Sequence, residues 1–194
     1  MSRRRLERQR RLLRADFRNP RRPHRAESRA YGRVATRPFI RAARLEDYDR
    51  LSAVFQQGDR LHTSALPDVF RIPEGPARSI DYIADLLNSE KSAVLVAEVQ
   101  GRIVGAVSVT IHEAPALPVM VPRRFAVISD VVVVRGFRHQ GIGRMLMEQA
   151  QGWARARGVG QVELNVWEFN RGALAFYSKL GYRTASRRLR KSLG

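Results

Sequence analysis

The sequence contains no cysteine, which excludes a disulfide framework, a thiolate metal site and a covalent acyl-cysteine intermediate. No apolar run reaches the roughly 18 residues of a membrane-spanning helix, and the N-terminus lacks the apolar stretch a secretory signal needs behind its basic residues. A cytoplasmic chain with no membrane partner is therefore expected. Lysine is scarce, at positions 91, 179 and 191 only, so arginine supplies nearly all the cationic charge. A codon-composition bias would produce that substitution without any function.

What is present fits one domain and a tail. The 194 residues suffice for a single sizeable core. The formal net charge is +18, and residues 1–37 hold fourteen arginines against Glu7, Asp16 and Glu27, so +11 of that charge sits in the tail. This tail has few large apolar residues and no sustained period, and it is expected not to fold. Residues 38–194 form the expected domain.

From Phe39 the pattern is regular. FIRAAR alternates like a strand, and Leu45, Tyr48, Leu51, Val54 and Phe55 recur at helical spacing. Leu61–Glu74 reads as a loop and Ala77–Asn88 as a second helix. SAVLVAEVQGRIVGAVSVTIH predicts a hairpin turning at Gln100-Gly101. A proline-rich excursion leads to a strand from Phe125 to Val134, then a glycine turn opening a helix. Next come a strand over Gln161–Trp167, a helix over Asn170–Leu180, and a final strand from Tyr182 to about Lys191. The order β-α-α-β-β-β-α-β-α-β indicates an α/β (α+β) fold with a mixed sheet flanked by helices.

The glycine turn, Arg138-His139-Gln140-Gly141-Ile142-Gly143, stands where a helix N-terminus offers unpaired N–H groups and partial positive charge to an anion. It is not a dinucleotide fingerprint, which would need glycine where Leu146 stands. Nor is it a P-loop, since Ile142 occupies the lysine position. A plain strand-to-helix turn is the structural alternative.

The hexapeptide is similar to the R/Q-x-x-G-x-G/A signature of the GNAT acyltransferase superfamily. A second landmark, Asn170 followed seven residues later by Tyr177 and then Gly181-Tyr182, resembles that family's downstream segment. Asn170 and Tyr177, two helical turns apart, share one face. The resemblance covers Phe39–Leu193. It implies a mostly antiparallel GNAT-like sheet and an acetyl-CoA-dependent N-acetyltransferase acting without a metal. It further implies that Arg138, His139, Gln140, Gly141, Ile142 and Gly143 cradle the coenzyme A pyrophosphate, that Val131, Val132 and Val133 align the pantetheine arm through backbone atoms, that Asn170 contributes to cofactor binding, and that Tyr177 is the general acid.

Amine acetylation needs a neutral nucleophile, yet an alkylamine has a pKa of about 10.4, so a base or water must take a proton. The family's strand glutamate is replaced by Phe125, Ala126 and Val127. Asp130 is the nearest candidate base, with Glu163, Glu168 and His112 as others. The acceptor pocket is expected between Leu61–Arg71 and Glu113–Arg124. Without cysteine, direct attack by the amine is the expected route. A primary amine, on a small molecule or a protein, is the expected partner beside acetyl-CoA. The alternative is a nucleic-acid or ribosome-associated protein that uses the basic tail and Arg187–Lys191, with the fold as scaffold. The final strand is also a candidate edge for homodimer pairing.

Overall fold

The computed structural model describes residues 37–193. The basic tail through residue 36 lies outside them, and so does the expectation that it does not fold.

Five strands lie side by side in chain order: β1 (Phe39–Ala42), β2 (Ser92–Val99), β3 (Arg102–Glu113), β4 (Arg124–Val133) and β5 (Val162–Leu164). The first three pairings are antiparallel and β4–β5 is parallel, the mixed sheet expected from the element order. The β2–β3 hairpin turns at Gln100 and Gly101, whose φ values of 50° and 74° are the left-handed pair of a tight two-residue turn.

Helices cover both faces of the sheet. α1 (Tyr48–Ala65) and α2 (Ile80–Asn88) lie on one face, where Leu51, Val54, Phe55 and Ile83 meet Val94, Val96, Ala106 and Val132. α3 (Ile142–Arg155) covers the other, where Ile142, Leu146, Met147 and Ala150 meet Ala97, Val107, Val109 and Ile128. α4 (Arg171–Lys179) adds Phe176 and Tyr177 to that second layer. Period-two alternation along β2 and β4 sends neighbouring residues to opposite cores.

One charged cluster fixes the entry to α1. Asp47 is 2% exposed. It accepts hydrogen bonds from Arg41 Nη1 at 2.6 Å, from Arg50 Nη2 at 2.6 Å and from the backbone N–H of Arg44 at 2.9 Å. Arg41 Nε also donates to Glu98 on β2 at 2.9 Å. The Arg41 hydrogen bond, aided by the Arg44 amide and outweighing burial, holds the Asp47 carboxyl down at about 2.

Three expectations need correction. The final strand does not form, and residues 182–193 have no sheet partner. Arg183, Arg187, Arg188, Arg190 and Lys191 leave little to bury there, and Leu189 and Leu193 both stay 90% exposed. With that strand gone, so is the edge expected to pair two subunits. α1 continues to Ala65 instead of yielding to a loop at Leu61, and Leu45 falls in a 3-10 turn (Leu45–Asp47) whose different period leaves it exposed. α2 starts only at Ile80, where Ser79 Oγ caps it by accepting the Tyr82 N–H.

Because Asp47 is held below its ordinary pKa, its contribution is present above about pH 4 and is lost as pH falls toward 2. Asp47→Asn should lower stability by about 2 kcal/mol at pH 7. It should also flatten the pH dependence between 4 and 2, as read by urea denaturation across that range.

Candidate functional site at the end of strand β4

Pairing with β3 sets Ser108 against Asp130 and then Val109 against Ile128, so Ser129 is an extra residue with no partner. This is a β-bulge. On its other side β4 pairs with β5 only over Ala126–Ile128, and beyond Ile128 that edge of β4 has no strand beside it. Val134 N–H bonds the Val104 carbonyl on β3 at 2.9 Å. Strand alternation therefore turns the backbone groups of Val131 and Val133 toward the open side and those of Val132 toward β3. The Val132 side chain belongs to the α1/α2 core.

The strand feeds into a 3-10 turn (Arg135–Phe137) and then the glycine turn. Arg138 Nε donates back to the Val133 carbonyl at 2.9 Å, and Gln140 Nε2 donates to the Gly136 carbonyl at 3.3 Å. His139 has a φ of 63° and Gly141 a φ of 82°, so the chain twice enters the left-handed region in three residues. Gly141 is the N-cap of α3, and no side chain caps it. The first helical bond there is from Met145 N–H to the Gly141 carbonyl, so the amides of Ile142, Gly143 and Arg144 precede the intrahelical ladder. The first turn contains no acid but does contain Arg144, the reverse of what the helix dipole prefers unless an anion sits there.

The second glycine has a different cause. A Cβ on Gly143 would stand 3.2 Å from Phe176 Cζ, so this position lets α4 close on α3. Phe176 precedes Tyr177, and their rings are 5.2 Å apart. Asn170 is the N-cap of α4, its Oδ1 accepting the Ala173 N–H at 3.1 Å, which fixes where α4 begins. Tyr177 is half-buried, and its ring meets Tyr182 edge-on at 5.8 Å. Burial, then Tyr182 and the Asp130 carboxylate, push its phenol up to about 12.

At the bulge Asp130 accepts from Arg78 Nη2 at 2.6 Å through Oδ1 and from Ser108 Oγ at 2.8 Å through Oδ2. Arg78 Nη1 reaches Asp59 on α1 at 2.9 Å, and the guanidinium lies 4.6 Å over the Phe55 ring. Burial opposes the Arg78 charge, but Asp130 and Asp59 outweigh it and hold the guanidinium above its ordinary pKa. An open cavity of about 640 Å³ lies between this cluster and the loop leading to α2.

Of the remaining candidate bases, His112 pairs with Phe125 at the opposite end of β4, and Glu163 is bound by Arg123 at 2.6 Å. A larger open cavity of about 1050 Å³ is lined by residues between 113 and 124, the segment that leads into β4 at that same far end. No residue of Leu61–Arg71 lines that cavity, contrary to the expected shared pocket; His62 and Phe70 pack with Phe169 and Trp167. Arg78, Asp59 and Ser108 were not foreseen, and an arginine in so arginine-rich a chain carries no local signal. Among the described residues no three His, Asp or Glu side chains gather where a metal could sit. No helix among them is long and apolar enough to cross a membrane.

The family model described as Acetyltransferase (GNAT) family matches residues 59–182, which span the bulge, the glycine turn and Tyr177. The chain belongs to the GNAT acetyltransferase family. A solved structure of a tetramutant of the BH1408 protein from Bacillus halodurans superposes with a TM-score of 0.76 at 31% identity, covering 80% of this chain and 99% of that one. An uncharacterized N-acetyltransferase of Methanocaldococcus jannaschii is 34% identical over 101 residues, 52% of this chain and 43% of its own length. Streptothricin acetyltransferase of Streptomyces lavendulae is 42% identical over 55 residues, 28% of this chain and 29% of that enzyme. The alignments thus span less than half of these two relatives.

The packing reason for Gly143 can be checked without any substrate. Gly143→Val should destabilise the GNAT domain by about 2 kcal/mol through overpacking against Phe176. Adding Phe176→Leu should recover part of that loss in chemical denaturation. Full additivity of the two losses would show that the two positions are not coupled.

Proposed function

We propose that the chain is an N-acetyltransferase that moves an acetyl group from acetyl-CoA to a primary amine. The supporting observation is the convergence, at one end of β4, of a free backbone edge, an uncapped helix N-terminus and the Asp130/Tyr177 pair.

The residues present fit the cofactor. The amides of Ile142, Gly143 and Arg144, with the α3 dipole, suit a pyrophosphate, and Arg138, His139, Gln140 and Gly141 shape the turn that exposes them. The open-side backbone groups of Val131 and the Val133 N–H suit an extended amide-bearing arm, the Val133 carbonyl being held by Arg138, while Val132 anchors the strand to the core. Asn170 retains its side-chain N–H groups for that ligand after its oxygen has capped α4. Acetyl-CoA supplies the activated acetyl thioester.

Asp130, fixed at the bulge, receives the acceptor's ammonium, whose proton passes to it or through water to solvent. The neutral amine nitrogen then bonds the acetyl carbon as the carbon–sulfur bond breaks. Tyr177 donates its phenolic proton to the departing sulfur and is reprotonated by the second proton leaving the amine nitrogen, directly or through water. Net, the ammonium loses two protons, one ending on the thiol and one in solvent.

A phenol pushed up to about 12 remains protonated throughout the neutral range, the state a donor requires. Its own ionisation therefore imposes no loss of activity between pH 7 and 10. Tyr177→Phe should lower kcat by about 100-fold while acetyl-CoA binding, followed by calorimetry, changes less than about threefold. Wild-type turnover in this variant would remove Tyr177 from the chemistry. Asp130→Asn should lower kcat/KM for the amine and alter the pH-rate profile. An unchanged profile would remove Asp130 as a proton acceptor.

A further inference from the structure

The cavity beside the bulge has an unusual charge inventory. Its charged lining consists of Asp59, Arg78 and Asp130, with Ser79, Tyr82 and Ser129 completing the polar wall. Arg78 bonds both carboxylates, at 2.9 and 2.6 Å, so two negative charges and one positive leave a net of one negative. This stands in a chain whose formal net charge is +18. Ser129 and Asp130 belong both to this cavity and to the bulge, so an amine held here would face the open edge of β4.

A single ammonium completes the balance. A second ammonium would find no uncompensated carboxylate, and an acceptor carboxylate would lie against Asp59 or Asp130 with the guanidinium already engaged by both. We propose that Asp59, Arg78 and Asp130 set acceptor specificity by charge count, admitting an amine that carries one positive charge and no carboxylate, with Arg78 as the residue that fixes the count. The inference rests on the proposed acetyl transfer and deepens it.

The test uses the full chain and a matched four-carbon series: butylamine, 1,4-diaminobutane and 4-aminobutanoate. Thiol release from acetyl-CoA should favour butylamine in kcat/KM by about tenfold over each of the others, the effect of one screened charge a few ångströms away. Ser79→Asp makes the count two negative while keeping a side chain able to cap α2. It should raise the diamine-to-monoamine ratio about tenfold. Asp59→Asn makes the count zero and should lower that ratio while raising 4-aminobutanoate relative to butylamine. Arg78→Gln should shift preference as Ser79→Asp does, but it also unties α1 from β4, so the first two variants decide.

Unchanged ratios in both, with acetyl-CoA still bound, would overturn the charge count and leave the acetyltransferase reading standing. If none of the three amines is acetylated, calorimetric titration of each into the coenzyme-A-bound chain reads the same ratios. Absence of amine binding there would also overturn the proposal. Failure to bind acetyl-CoA at all would overturn the proposed activity, and this inference with it.

Discussion

The guanidinium of Arg78 holds together the elements that make the site. It comes from the loop before α2, lies over Phe55 of α1, and binds Asp59 of α1 and Asp130 of β4. Two ion pairs at partly buried groups would each be modest if isolated. Here they share one side chain whose orientation the Phe55 ring already restricts, so the second pair costs little additional ordering. Because Asp130 sits at the bulge, the same contact sets how the extra residue of β4 is accommodated. The free edge itself begins where β5 stops pairing with β4, just past Ile128 and next to this bulge.

The other half of the site depends on closeness rather than charge. Gly141 allows the left-handed turn that starts α3, and Gly143 allows Phe176 to rest against that start. The α3 N-terminus and Tyr177 are consequently not independent placements. The helix presenting the phenol is packed against the helix presenting free amides, and the N-cap Asn170 determines where the former begins. Burial of Tyr177 follows from the same packing, and burial is the leading cause of its raised pKa.

Strand and helix identities from β1 to α4 were legible because hydrophobic period and turn residues agreed there, and the two glycine-bearing landmarks were legible because they are local in sequence. The bulge was not. Ser129 differs from its neighbours only in pairing across 20 or so residues, and no local pattern encodes register. Arg78 was hidden for a related reason: its partners are 19 and 52 residues away. The expected final strand does not form because YRTASRRLRK lacks the alternating apolar residues that would give a strand a face to bury.

The proposed reaction joins an anionic donor to a cationic acceptor, and the charge layout answers both requirements. A strongly basic chain attracts the donor and repels the acceptor at long range, within a Debye length of about 8 Å at physiological ionic strength. The α3 N-terminus, with Arg138 and Arg144 near it, continues that positive field on the donor side. On the acceptor side the field must reverse locally, and Asp59 and Asp130 are the carboxylates placed to reverse it. Full reversal would leave two carboxylates crowded at the bulge with unfavourable mutual repulsion, which Arg78 relieves by lying between them. The same guanidinium that organises the strand end thus limits how negative the acceptor cavity can be, which links the stability of the bulge to the number of charges an acceptor can carry.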